Sequence, residues 1–499
     1  MTWSSLFIRK PMAALHAEAS RGALSRSLGA RELTALGIGS VIGTGIFVFT
    51  GVAASQHAGP ALVLSMLISA TACALAGLCY AEFAAMVPVA GSAYTYAYAT
   101  VGELFAWIIG WDLVLEYALS TATVAVGWSG YFVSFLRELG LTFPPQLAAA
   151  PGTTVTLADG STVHGVVNLP AMVIVAAVAL LLVRGIKQSA GVNTVLVTLK
   201  VLVLLVFIGV GAQYVRSENL TPFIPPNTGE FGAFGISGIL RGAGVMFFAY
   251  VGFDSVSTAA QEARNPQRDM PIGMLASLAI CTVIYIAVAI VLTGIVPYTQ
   301  LNVADPLAVG IDATGVRWLS PFIKISALFG LFSTMIVTML GQTRVFYSMS
   351  RDGLLPDLFS RVHPRLRTPH LSTGIVATLV AAVAGFTPIT MLGELTSIGT
   401  LLAFTLVAIG ILLLRRRDPH APRPFRTPWV PWVPLAAAGA CLVQMASLPL
   451  ATWGRLLVWL TLGFVVYFTY GRSRAAGVRR RALMPTPVPV PTDIRPSVP

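Results

Sequence analysis

Apolar runs long enough to cross a lipid bilayer recur along almost the whole chain. A spanning helix needs about 20 consecutive apolar residues, and only 10% of the 499 residues are charged, which is too few for a soluble domain. We place twelve runs, at 33–56, 59–86, 103–136, 167–184, 190–213, 235–262, 271–296, 317–350, 371–388, 391–414, 429–448 and 452–470. The chain is therefore predicted to be an all-α polytopic protein with twelve transmembrane helices in the lipid bilayer.

The net charge of +12 does not indicate a nucleic-acid partner, because of where the basic residues lie. With both termini in the cytoplasm, the tails and the loops on that side carry most of the 32 Lys and Arg residues. Such a bias is the positive-inside rule for an even number of spans. We expect a cytoplasmic N-terminal segment at 1–32, a disordered cytoplasmic tail at 471–499, and a location in the cytoplasmic membrane.

Four glycines interrupt the first apolar run, in the sequence Gly-Ile-Gly-Ser-Val-Ile-Gly-Thr-Gly-Ile-Phe at 37–47. Glycine lowers helix stability by about 1 kcal/mol relative to alanine. A break in a spanning helix survives only where the freed backbone groups line a cavity or a ligand site. We therefore predict a discontinuous helix that holds a substrate. The alternative is a packing face, since Gly39 and Gly43 also form a small-xxx-small pattern.

The apolar runs divide into two halves of similar length, at 33–213 and 235–414, joined by an extracellular loop at 214–234. Because each half has five predicted spans, the two halves have opposite topology, which is typical of transporters built from inverted repeats. The run that opens the second half also has glycines and a polar residue at mid-depth, within 242–255. Two interrupted helices at equivalent positions predict a substrate site at the membrane midplane. A cytoplasmic loop and two more spans follow at 415–470.

The two interruptions offer backbone groups of opposite polarity. The amides of Gly43, Thr44 and Gly45 would face the cavity at the positive end of a half-helix, where a carboxylate is stabilised. The carbonyls expected to accept from an ammonium group are those near Val41 and at Phe248, Ala249 and Val251. The backbone can therefore bind both the carboxylate and the ammonium group of a zwitterion, so an L-amino acid fits this site better than a sugar or a lipid.

Lys200 lies near the middle of the fifth predicted span. A charged lysine at the bilayer centre costs roughly 2.5–3.5 kcal/mol, so it faces the bundle interior, is paired, or is neutral for part of its cycle. With about ten apolar residues on either side, its stem is too short to reach an interface. We therefore interpret Lys200 as the proton-coupling group.

Carboxylates in the third and sixth spans are further candidates for the site. Asp112 and Glu116 are four residues apart and share one helical face. They either bind a cationic side chain or hydrogen-bond neighbouring helices. Asp254 follows the second interruption and is expected to cap the resumed helix, with coupling to Lys200 as the alternative. Glu116 and Asp254 are our candidates for polar support of the site.

Other charged and aromatic residues lie near the predicted membrane surface. Glu82 and Glu262 would form gates with Arg264 or Arg268, or they are ordinary interfacial charges. The tyrosines at 94, 96 and 98 are expected to be interfacial aromatic residues without a chemical role.

Several motifs resemble those of the amino acid, polyamine and organocation transporters. They are the stretch at 37–47, the sequence Cys79-Tyr80-Ala81-Glu82-Phe83 with Pro88, Gly91, Tyr94 and Tyr96 after it, and Phe248-Ala249-Tyr250-Val251-Gly252-Phe253-Asp254. The similarity covers about residues 30–470 and is greatest to bacterial cationic amino acid transporters.

This resemblance implies the LeuT fold, with five plus five inverted spans and two appended, and proton-driven uptake of L-amino acids. In the resembling transporters a lysine at the position of Lys200 stands where sodium-coupled relatives bind their cation. The eukaryotic cationic carriers have fourteen spans and this chain has twelve, so the resemblance does not establish arginine or lysine as the substrate. Small neutral and cationic amino acids both stay open.

Features of other protein classes are missing from the sequence. All six histidines lie in tails or loops, and there is no Gly-x-Ser-x-Gly elbow and no phosphate-binding loop. We therefore expect no enzyme activity, no cofactor and no metal, and an importer working by alternating access. An amino acid exchanger and a non-transporting amino acid sensor remain alternatives. The pattern does not indicate any partner subunit.

Overall fold

The computed structural model describes residues 8–10, 28–86, 92–156, 161–185, 190–366 and 368–483. Most of the predicted N-terminal segment lies outside these ranges, as do Pro88, Gly91 and the end of the predicted tail at 484–499.

The described chain is mostly helical. The α-helices of the first half are α1 (Ala30–Val41), α2 (Thr50–Ala53), α3 (Leu62–Met86), α4 (Ser92–Thr100), α5 (Glu103–Glu138), α6 (Leu169–Val183) and α7 (Ala190–Gly211). Those that follow are α8 (Gly235–Met246), α9 (Pro266–Ile295), α10 (Pro306–Asp312), α11 (Leu319–Arg351), α12 (His370–Phe386), α13 (Ile389–Arg417), α14 (Trp432–Ser447), α15 (Leu450–Val466) and α16 (Arg472–Leu483). Between α5 and α6, β1 (Thr154–Thr156) and β2 (Thr162–His164) pair antiparallel, with Thr154 opposite His164.

Short 3-10 and π-helical turns connect these helices. The 3-10 turns are Gly59–Ala61, Pro145–Leu147, Ala212–Tyr214, Ser217–Leu220, Phe247–Tyr250, Phe253–Glu262, Tyr298–Gln300 and Asp357–Ser360. The π-helical turns are Gly45–Phe49, Ala54–Ala58 and Tyr467–Gly471.

Within the described ranges, eight helical stretches are long and apolar enough to cross a membrane, so this is a multi-pass membrane protein. Three shorter apolar helices accompany them: α6, α12 and α14. One of the eight, Gly45–Met86, has 42 residues, and as a straight helix it would be about 63 Å long, twice the bilayer core. It is not straight, because Gly59 has a φ of 58° and is followed by Pro60. In the described chain most residues of the predicted runs are helical.

The helices that surround the interrupted segments pack closely. The long helix α5 packs along α11, with Gly341 in contact with the ring of Tyr117. The start of α9 packs on α1, where Gly273 faces Leu33. These contacts enclose the break after α1 between α5, α9 and α11.

The segment after residue 471 differs from the expected disordered tail, because Arg472–Leu483 forms α16. Ala475 is fully buried, and Gly353 in the loop after α11 packs against Ala475 and Val478. Arg474 also pairs with Asp357. These contacts order the part of the basic tail that the structure describes.

The three tyrosines after the second span are buried on α4 rather than interfacial. The hydroxyl of Tyr94 donates to Asp352 at 2.8 Å, and that of Tyr98 donates to Glu103 at 3.0 Å. Tyr96 is buried as well, so the expectation of an aromatic belt is wrong here.

Glu82 is the centre of a buried ion cluster at the end of α3. Its oxygens accept from Arg415 Nε and Nη2 at 2.9 and 2.8 Å and from the amide of Thr427 at 2.8 Å. Arg423 Nε lies 3.2 Å from the same carboxylate. The prediction that Glu82 pairs with Arg264 or Arg268 is therefore wrong. Glu82 instead fixes the loop between α13 and α14.

We expect Glu82→Gln to destabilise the protein by about 3 kcal/mol, because breaking a buried ion pair leaves its partner charges uncompensated. This is the lower end of the usual free-energy cost of breaking a buried ion pair, and we choose it because the side chain of Arg415 is 24% exposed. The measurement is the unfolding midpoint of purified protein in detergent. The control is Glu262→Gln, a carboxylate with no ion pair among the described residues. An equal shift for both variants would contradict the role of the cluster.

Candidate functional site

The predicted break in the first span is present between α1 and the π-helical turn at Gly45–Phe49. The α-helix ends at Val41, and Ile42 is extended, with φ −71° and ψ 100°. In the described part of the chain, the amides of Gly43, Thr44 and Gly45 have no hydrogen-bond acceptor. Amides in this position carry the positive end of the following helical segment, so they are available to an anion.

The second interruption lies at Val251 and Gly252. The 3-10 turn Phe247–Tyr250 ends at Val251, which is extended at φ −59° and ψ 134°. Gly252 then has a φ of 112°, in the region that favours glycine. A Cβ at Gly252 would also lie 2.9 Å from the carbonyl oxygen of Ser40, so the two interrupted segments approach closely here.

A second close approach joins the two segments at Gly45. A Cβ at this position would lie 2.3 Å from the Cα of Ala249, which no real contact allows. The glycine therefore lets the two backbones touch directly, and the predicted pairing of the breaks is present in the fold.

A small cavity of about 30 Å³ lies between the breaks, which is room for one or two water molecules. Predicted substrate residues that line it are Val41, Gly43, Thr44, Gly45, Phe248 and Val251. Ala249 does not line it, because it packs on Gly45. The interrupted segments also contribute Ser40, Gly252 and Ser255, and the opposite wall comes from α5 and α11, with Glu116, Tyr117, Ser120, Val124, Val337 and Thr338.

Two of the carbonyls that we expected to be free already have donors. The hydroxyl of Tyr285 donates to Val41 O at 2.8 Å, and the amide of Val251 donates to Phe248 O at 3.2 Å. A carbonyl oxygen has two lone pairs, so each can accept a second hydrogen bond. Sequence reasoning missed Tyr285, because a lone tyrosine in the apolar helix α9 gives no sign of its partner.

Lys200 lies behind the first break and outside the cavity lining. Its side chain is fully buried, and Nζ donates to Gly39 O at 2.7 Å and to Thr334 Oγ1 at 2.8 Å. Thr334 Oγ1 in turn lies 3.3 Å from Ile42 O. No carboxylate lies within ion-pair distance of Lys200 in the described ranges. The lysine therefore connects α7, the end of α1 and α11.

Three carboxyl groups are buried on the same part of the bundle: Asp112, Glu116 and Asp254. Asp112 and Glu116 share the inward face of α5 as expected, and of these only Glu116 lines the cavity. Glu116 Oε2 and both oxygens of Asp112 and Asp254 have no hydrogen-bond partner among the described residues. Asp254 lies beside the first amides of the 3-10 helix that begins at Phe253, without a hydrogen bond of ordinary geometry to them, so its capping role stays a prediction.

Comparison with known proteins decides the family. Residues 28–468 match the family described as amino acid permease. The chain belongs to the amino acid permease family. This confirms the resemblance to the amino acid, polyamine and organocation transporters, and it makes this permease a transporter and not an enzyme.

Three relatives illustrate how far the similarity extends. The permease is 44% identical over 472 residues to the methylthioribose transporter of Bacillus subtilis, covering 95% of this chain and 99% of that protein. It is 45% identical over 476 residues to the branched-chain amino acid permease BcaP of the same species, covering 94% and 98%. It is 38% identical over 420 residues to the vacuolar cationic amino acid transporter 4 of Arabidopsis thaliana, covering 83% and 68%.

We expect Gly45→Ala to lower transport at least tenfold, because the added methyl group forces the two interrupted segments apart. The measurement is uptake per quantity of protein in the membrane, with protein quantified separately. Gly209→Ala is the matched control, since a Cβ at Gly209 in α7 meets nothing within 4 Å. Normal uptake by Gly45→Ala would show that the close approach is not required.

Proposed function

We propose that this permease is a proton-coupled symporter that imports L-amino acids by alternating access. In this proposal the chain has the LeuT fold with twelve spans, inverted repeats at 33–213 and 235–414, and both termini in the cytoplasm. The observation that carries the proposal is the position of Lys200. Its amine holds the carbonyl end of α1 beside the cavity, where a change in protonation alters the contacts of the interrupted helix.

The backbone at the two breaks supports an α-amino acid as substrate. The amides of Gly43, Thr44 and Gly45 would bind the carboxylate, with the carbonyls of the second break near the ammonium group. The cavity is smaller than any amino acid, so its walls must separate to admit one. Alternating access supplies this movement, because it shifts the interrupted helices relative to α5 and α11.

The coupling step follows from the hydrogen bonds of Lys200. Nζ joins Gly39 O of α1 to Thr334 of α11. A ligand or proton shifts a conformational equilibrium only through contacts that differ between the two states. A proton on the Lys200 amine strengthens its bonds to both oxygens and so favours one arrangement of α1 against α11.

We expect Lys200→Met to abolish proton-driven accumulation while exchange at equal pH on both sides persists. The assay uses purified protein in sodium-free liposomes, with labelled L-leucine, L-alanine or L-arginine and an inward proton gradient. Lys324→Met is the matched control. Lys324 is a buried lysine of α11 that lies 3.3 Å from Glu138, away from the breaks.

Each other outcome identifies a different function. Accumulation that requires sodium would contradict proton symport. Flux only against preloaded amino acid would identify an exchanger, and saturable binding without flux would identify a sensor. If Lys324→Met loses accumulation as fully as Lys200→Met, the lysine at the break has no special role in coupling.

Neutral apolar amino acids are the substrate class that we favour. Val124, Val337 and Phe248 supply the apolar part of the cavity wall, and a relative of 45% identity is named as a branched-chain amino acid permease. A cationic substrate is the second candidate, because Glu116 lines the cavity with an unpartnered oxygen.

We expect unlabelled L-leucine and L-isoleucine to compete with labelled L-leucine, and L-arginine not to compete. Competition by L-arginine that Glu116→Gln removes, and that Asp112→Asn leaves intact, would establish the cationic class instead. Asp112 is the matched control because it is equally buried on α5 but does not line the cavity. Methylthioribose is included as a competitor, since another relative is named for its transport. Competition by methylthioribose alone would contradict an amino acid substrate.

A further inference from the structure

A second cavity, separate from the substrate site, lies between the start of α9 and the loop that joins α13 to α14. Its volume is about 670 Å³. The wall on α9 is polar at its start, with Gln267 and Arg268, and apolar further along, at Ile272, Leu275 and Ala276. The wall on the loop is formed by Pro424 and Phe425. The side chain of Ile272 is 42% exposed, so the cleft is open on the outer surface of the helix bundle. A cleft of this kind on a spanning helix faces lipid.

The loop wall of this cleft is held in place by the Glu82 cluster. Pro424 and Phe425 lie between two residues that contact the Glu82 carboxylate. Arg423 Nε lies 3.2 Å from Oε1, and the amide of Thr427 donates to Oε2 at 2.8 Å. The cleft is therefore formed before any ligand arrives, which lowers the ordering cost of binding.

The rim of the cleft carries positive charge. Arg268 lines it, and Arg426 follows Phe425 directly in the loop. Both arginines are exposed, and neither has an ion pair or a side-chain hydrogen bond in the part of the chain that the structure describes. The nearby carboxylate of Asp269 accepts from the amide of Asn265 at 3.2 Å. Glu82 is occupied by Arg415, so it does not neutralise this rim.

We propose that this cleft binds one anionic phospholipid, with its phosphate at Arg268 and Arg426 and an acyl chain along Ile272, Leu275 and Phe425. This inference rests on the orientation in the proposed function, which puts the start of α9 on the cytoplasmic side. Basic pockets between helices on that side of a membrane bind anionic head groups. An acyl chain can pack along the apolar walls, whereas a free phosphate or a soluble nucleotide offers no apolar group to fill them. The proposal does not depend on which substrate the permease carries.

The test is a titration of the purified full-length protein in neutral detergent, followed by native mass spectrometry. The probes are phosphatidylglycerol and phosphatidylcholine with the same acyl chains, and soluble glycerol phosphate as a competitor. The variant is Arg268→Ala/Arg426→Ala. The matched control is Arg361→Ala/Arg365→Ala, which removes two exposed arginines from the loop between α11 and α12. A third variant, Ile272→Trp, fills the cleft without changing its charge.

We expect that binding of the first phosphatidylglycerol requires a lipid concentration at least tenfold higher for Arg268→Ala/Arg426→Ala than for wild type or the control. Ile272→Trp should also weaken the binding of phosphatidylglycerol. Phosphatidylcholine should bind to wild type more weakly than phosphatidylglycerol, and glycerol phosphate should not compete. Equal binding of phosphatidylglycerol to wild type and to Arg268→Ala/Arg426→Ala would overturn the proposal. So would equal binding of the two lipids to wild type, or full competition by glycerol phosphate, which would identify a phosphate site without a lipid chain. Unfolding midpoints measured on the same samples show whether each variant is folded.

Discussion

The carbonyl groups freed at the end of α1 are the constraint on which the centre of this structure depends. Hydrocarbon offers no donor to such groups, so the protein has to supply one for each. Three helices supply donors to three of these groups, since Lys200 of α7 donates to Gly39 O, Tyr285 of α9 donates to Val41 O, and Thr334 of α11 lies within hydrogen-bond distance of Ile42 O. The break is thus held from three sides, and any movement of these helices changes its hydrogen bonds.

The amide side of the same break is left open, and this asymmetry gives the site its polarity. No acceptor satisfies the amides at 43–45 in the described chain, and Thr44 Oγ1 is also buried without a partner. Unsatisfied buried donors cost about 1–3 kcal/mol each. A carboxylate that bound there would remove this cost, which is why the amide end favours an anion while the carbonyl end is already stabilised by side chains.

The features that sequence reasoning located are those that carry their own local signal. Glycines at Gly45 and Gly252 are required by close backbone approach, and Lys200 is conspicuous because a lysine deep in an apolar run needs a partner. Tyr285 and Thr334 have no such signal, since each is an ordinary residue of a long helix whose rotation the sequence does not determine. The prediction of the wrong partners for Glu82 has the same cause, because the sequence gives no signal for the true ones. Arg415 and Arg423 are more than 300 residues away along the chain, and only the tertiary fold brings them to α3.

The breaks and the cavity wall differ in how freely the sequence can change them. At Gly45 any side chain meets the backbone of Ala249, so this part of the site tolerates glycine alone. The wall from α5 and α11 consists of side chains such as Val124 and Val337, so its shape depends on side-chain size and not on a close approach of two backbones. Relatives of 44% and 45% identity are named for methylthioribose and for branched-chain amino acids. Overall identity therefore does not decide the substrate. If the substrate binds as we propose, a change in the side chains of α5 and α11 alters the cavity wall without disturbing the contact between Gly45 and Ala249.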